Sequence, residues 1–106
     1  IDNIQERMMG DNELVEDLLS TAMQDLPEQI ENLRLLLEEG KEDKIELQAH
    51  SIKGAASNIS AEVLTFISLK IEKSGADGDL ELSQKLFPEL EHQFQVLQKA
   101  VDNYMD

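Results

Sequence analysis

Apolar residues return at three- and four-residue intervals along most of the chain, and no run alternates in twos as a half-buried strand would. The longest stripe is Leu14, Leu18, Leu19, Ala22, Leu26, Ile30, Leu33 and Leu37. Asp11 stands where its helix would be capped, and Gly40 stands where a left-handed residue would end it. Pro27 falls inside the stripe, but the spacing continues on both sides, which predicts a kink rather than a loop. Ahead of it, Asp2 can cap a short helix over residues 3–9 that Gly10 closes.

A third helix is expected over residues 42–59, with Ile45, Ala49, Ile52, Ala56 and Ile59 on its inner face. Ser60 is then placed to cap a fourth helix that buries Val63, Leu64, Phe66, Ile67 and Ile71 and stops at Gly75. After the loop at residues 76–78, Asp79 is the next cap. The last stripe, Leu80, Ser83, Phe87, Leu90, Phe94, Leu97, Val101 and Tyr104, has the most regular spacing, with Pro88 off it and expected to bend the helix. Together these predict an all-α fold, an antiparallel four-helix bundle with a short N-terminal cap helix. Residues 1–106 form a single domain, and the opening Ile1 suggests a piece excised from a longer chain.

Composition narrows the chemistry. With 4% aromatic residues and no Trp, the core must be aliphatic. The absence of Cys excludes a disulfide scaffold, thiolate metal sites and cysteine nucleophiles, and suits a reducing cytoplasmic location. A net charge of −14 argues against nucleic acid as a partner and against direct membrane contact, because phosphate groups attract clustered Lys and Arg. The charge is uneven, however. Residues 41–73 hold five lysines (41, 44, 53, 70 and 73) against five carboxylates (42, 43, 46, 62 and 72), so the rest of the chain carries the whole excess. An acidic partner could approach that neutral middle third.

Winding the third helix at about 100° per residue from its apolar stripe puts Lys53 near 80°, Ser57 near 120°, His50 near 140°, Gly54 near 180° and Leu47 near 200°. His50 thus faces solvent among short side chains: Ser51, Gly54, Ser57 and Asn58. Glycine inside a helix costs about 0.5–1 kcal/mol relative to Ala. One turn from an exposed imidazole, it removes the side chain that would crowd an approaching group. Leu47 adds an exposed apolar contact on the same side. A neutral imidazole is a good nucleophile, and Lys53 can swing its ammonium towards an anion attached to the ring. The arrangement suits a phosphoryl group held on nitrogen, yet no glycine-rich nucleotide loop or Ser-His-Asp spacing accompanies it. The same residues also read as a surface His beside a surface Lys with a tolerated glycine.

The segment over residues 49–59, AHSIKGAASNI, resembles the HxxKG signature of histidine-containing phosphotransfer (HPt) domains. MMGDNELVEDLL, DLPEQIENL, SAEVL and GDLELSQKLFPELE resemble the segments that surround it in that family. The resemblance implies a multistep His-Asp phosphorelay in which His50 accepts a phosphoryl group from the aspartyl phosphate of a receiver domain and passes it to another receiver. Lys53 would hold the phosphoryl group, Gly54 would clear the approach, and Leu47, Ser51, Ser57 and Asn58 would line the contact. It implies a monomeric phosphocarrier without a cofactor or ATP site of its own, free or tethered to a membrane sensor kinase. Two alternatives share the bundle: a docking module with an idle His50, and the phosphoacceptor domain of a chemotaxis-type kinase. The family commonly has glycine where Ser60 stands.

Other candidates lead to blander readings. His92 lies off the last stripe beside Glu91 and reads as a solvated histidine, and two histidines this far apart make no metal site. The acidic run at residues 77–81 begins like a calcium loop, but Leu82 replaces the required Gly and Pro88 the terminal Glu. Met8, Met9, Met23 and Met105 read as cap and core filler.

Overall fold

A computed structural model describes residues 12–105 as four helices: α1 (Asn12–Glu39), α2 (Glu42–Asn58), α3 (Glu62–Ala76) and α4 (Leu80–Met105). The short opening helix, its cap Asp2, the cap at Asp11, and Met8 and Met9 lie outside the described residues. α1 packs on α2 and α4, and α3 packs on the same two, with the α2–α3 pair the most extensive. Short connections between successive helices make the bundle antiparallel. Its core is aliphatic apart from two rings, drawing Val15, Leu19, Leu26 and Leu33 from α1, Ile45 and Ile52 from α2, Leu64, Ile67 and Ile71 from α3, and Phe87, Leu90 and Phe94 from α4. Pro27 and Pro88 both lie inside unbroken helices.

The inner faces differ from the expected stripes at a few positions. On α1 the buried stripe begins at Val15, and Leu14 is exposed. On α3, Leu64, Ile67 and Ile71 fill the inner face, while Val63 and Phe66 point outward. Polar Ser68 and Ser74 are buried in their place, each hydroxyl donating to a carbonyl of its own helix, Leu64 at 2.7 Å and Ile71 at 2.9 Å. Ser74 also meets buried Ser83 of α4 across 2.5 Å, which accounts for a serine on an apolar stripe. Met23 packs against the core, whereas Met105 is exposed.

Three helices end in the same way. After α1, Lys41 N–H bonds to Leu36 O and Gly40 N–H to Leu37 O. After α3, Asp79 N–H bonds to Ser74 O and Gly78 N–H to Gly75 O. After α2, Ala61 N–H bonds to Ala56 O and Ser60 N–H to Ser57 O. Each is a Schellman motif, which needs one left-handed residue: Gly40 at φ 69°, Gly78 at φ 70°, and Ser60 at φ 57°. Ser60 is therefore not the cap residue of α3; that position falls to Ala61, which makes no side-chain cap. Gly75, too, is not a helix stop. It lies within α3, where a Cβ would come 2.8 Å from the Glu46 backbone nitrogen and 3.0 Å from Ile45 Cγ2. Asp79 does cap α4, its Oδ1 accepting the Leu82 N–H at 3.1 Å.

Ser60→Gly should relieve the left-handed strain and raise stability by about 1 kcal/mol, so that thermal melting moves up by about 4 °C. Gly75→Ala should do the reverse, costing about 1–3 kcal/mol because the backbone of α2 must move away. Thermal denaturation followed by circular dichroism checks both, and equal melting temperatures would refute the assignments.

Candidate functional site

The missing side chain at Gly75 lets α3 lie directly against the backbone of α2 at Glu46. One turn back along α3 is Glu72, and one turn on along α2 is His50, so the antiparallel register brings them together. His50 Nδ1 lies 3.0 Å from Glu72 Oε2. Lys53 Nζ lies 2.7 Å from Glu72 Oε1, an ion pair. One carboxylate thus holds both residues. The imidazole stays 61% exposed, while the Glu72 side chain is largely covered at 19%. Lys53 is covered along its stem, as its place beside the inner stripe predicts.

Lys53, foremost, and His50 hold the Glu72 carboxyl below the ordinary carboxylate range, against the opposing effect of its partial burial. Glu72 therefore stays ionised at neutral pH. A carboxylate is an acceptor only, so it draws the ring proton to Nδ1 and leaves the lone pair on Nε2. No other described residue bonds to the ring. Gly54, one turn on, has nothing within 4 Å of where its Cβ would be. No packing inside the chain explains that glycine.

The surroundings of the ring are uneven. Towards the start of α2, Asp43, Glu46 and Glu72 make an acidic recess around it. Towards α1, a shallow apolar groove contains Leu35, Leu36, Leu47 and Ser51, with Leu47 73% exposed. Towards the end of α2, Ser57 and Ser60 border a second groove against Thr65, Phe66 and Leu69 of α3. Asn58 is eight residues beyond His50, about 12 Å along the axis, and does not join the cluster. His92 is exposed on α4, away from the α2–α3 pair that carries His50 and Glu72. Among the described residues no group of side chains could hold a metal ion, and no helix is long and apolar enough to cross a membrane.

Sequence reasoning missed Glu72. Its signal is faint: it is the one carboxylate in α3 after Glu62, next to buried Ile71. Only the helix register ties it to a histidine twenty-two residues away.

Residues 17–100 match the family described as Hpt domain, and the chain belongs to that family. The described bundle is thus a histidine-containing phosphotransfer domain. It is 29% identical over 93 residues to the phosphorelay intermediate protein rdeA of Dictyostelium discoideum. That match covers 87% of this chain and 35% of rdeA, so the chain spans about a third of that relative. The crystal structure of histidine-containing phosphotransfer protein B (HptB) from Pseudomonas aeruginosa PAO1 has the same bundle, with a TM-score of 0.85 and 26% identity over 97% of this chain and 87% of that one.

Replacing Lys53 with Ala removes the foremost cause of the low Glu72 pKa, so the Glu72 carboxyl resonance should titrate at higher pH in the variant. The linked stability has a definite sign. It is present above the ordinary glutamate range and is lost as pH falls through the lowered value. An NMR titration that leaves Glu72 unmoved would show that Lys53 does not hold it.

Proposed function

We propose that His50 is the phosphoacceptor and that Nε2 is the atom that reacts. The observation that carries this reading is Glu72 on Nδ1 of a ring that otherwise faces solvent. The Nε2 lone pair attacks phosphorus of a receiver's aspartyl phosphate. A phosphorus–nitrogen bond forms, the phosphorus–oxygen bond breaks, and the aspartate leaves as a carboxylate. The ring, substituted at both nitrogens, then carries a positive charge that the Glu72 carboxylate balances at 3.0 Å. Transfer to a second receiver reverses these steps.

Lys53 supplies the cation for the phosphoryl oxygens. It already sits against Glu72 beside the ring, so it needs only to rotate its terminal bonds to reach them. Gly54 leaves the approach to the ring open, and its freedom from any internal contact supports a role directed outward. Leu47 is the apolar anchor nearest the ring, while Ser51 and Ser57 lie on either flank of the α2 ridge. Asn58 is too far along the helix to touch the reacting group. We take the domain to act as a monomer in the cytoplasm, one His50 to each receiver.

A phosphorylated receiver should load one phosphoryl group on the wild-type chain and none on His50→Gln. The bond should be acid-labile and alkali-stable. Glu72→Gln should slow loading by about tenfold or more, and ¹⁵N spectra should show the ring proton redistributed towards Nε2. Leu47→Asp should weaken receiver binding by about 1 kcal/mol or more, while Glu91→Lys on α4 should leave it unchanged. Label on His50→Gln, or robust labelling of the isolated chain by ATP, would refute the assignment.

A further inference from the structure

Of the nine basic residues, several are already engaged by carboxylates: Arg34 by Glu31 and Glu38, Lys41 by Glu39, Lys53 by Glu72 and Lys85 by Glu81. Lys70 and Lys73 are not, and both are exposed on the outer face of α3. Lys70 places its ammonium 4.7 Å from the centre of the Phe66 ring. Phe66 is itself unusual: the other two phenylalanines are buried in the core, while this one is 56% exposed. A solvent-facing ring under a cation is a preformed anchor for an apolar contact with an acidic border.

This patch adjoins the site. His50 leans towards α3 through its contact with Glu72. Leu69 is one turn from Glu72, and Phe66 is about 9 Å from Glu72 along the axis. The groove formed by Phe66 and Leu69 with Ser57 and Ser60 has one carboxylate, Glu62, at its wall, set against the two lysines Lys70 and Lys73 on the same outer face. The other approaches are less favourable to an acidic surface. The recess towards the start of α2 is walled by Asp43 and Glu46. On the α1 side the groove includes Glu39, with Lys44 its one basic member.

We propose that the outer face of α3, with Phe66 and Leu69 as apolar anchors and Lys70 and Lys73 as cations, docks the acidic rim of a receiver's phosphorylation site. It thereby fixes how the receiver sits over His50 and which receivers the domain accepts. The proposal rests on the phosphotransfer reading. These residues touch neither the ring nor the phosphoryl group, so they set recognition and not chemistry.

Receiver domains of the source organism, charged with radiolabelled acetyl phosphate, are screened for those that load the wild-type chain. KM and kcat are then measured for Phe66→Ala and for Lys70→Glu combined with Lys73→Glu. The double reversal should raise KM by about tenfold, less at high salt, with kcat within about twofold of wild type. Phe66→Ala should raise KM by about fivefold. Both changes lie at exposed positions, and unchanged melting would confirm intact folding. Phosphoramidate, which loads histidine without a protein partner, reports on His50 alone.

A wild-type KM in both variants, with a receiver that loads the wild-type chain, overturns the docking surface and leaves the His50 assignment standing. If neither receivers nor phosphoramidate load the wild-type chain, both fall together. If sedimentation shows self-association that Phe66→Ala abolishes while KM stays unchanged, the face serves a second copy of this chain and the proposal fails.

Discussion

At Gly75 two helices come closer than any side chain would allow, and the rest of the site follows from that approach. The hydrogen there faces the Glu46 backbone, so α2 and α3 meet backbone to backbone. Antiparallel register then does the remaining work. A glutamate three residues before the crossing on α3 meets a histidine four residues beyond it on α2, and the lysine a further turn away reaches the same carboxylate. A methyl group at the crossing would push these partners apart by a distance comparable to a hydrogen bond's tolerance. The buried Ser74–Ser83 contact, one residue from the crossing, joins α3 to α4 and backs it from the other side.

Gly54 and Gly75 are both helical glycines, and their surroundings are opposite. One has no room for a side chain, and the other has room on every side. The first is explained by the fold. The second costs helix propensity with no return inside the molecule, which is the physical ground for seeking its explanation in a partner. Glu72 adds a division of labour: the carboxylate that orients the imidazole also holds the lysine beside it.

Much of this was readable in advance, and the exceptions have physical causes. The stripe on α4 was legible because Ser83, Phe87, Leu90, Phe94 and Val101 keep helical spacing over five turns. On α3 the same reasoning over-counted, because Val63 and Phe66 add apolar residues outside the buried face and periodicity cannot separate packing from docking. Ser60 was misread because serine is a good helix cap. The turn needs a left-handed residue first, which moves the cap position on by one. The placement of His50, Lys53 and Gly54 was legible because they share one helix, where spacing alone fixes direction. Glu72 was not, since it depends on the relative register of two helices.

The connections between helices are only a few residues long, and each helix packs against its neighbours in sequence, with α1 and α4 also packed together. The His50 ring, its carboxylate, the lysine beside it and the crossing glycine all lie within the single hairpin of α2 and α3. That confines the site to one hairpin closed by a three-residue loop, where the entropy of ordering is small. Assembly of the site therefore needs only pairing between helices adjacent in the chain. The outer helices then act as a clasp that keeps that hairpin from opening.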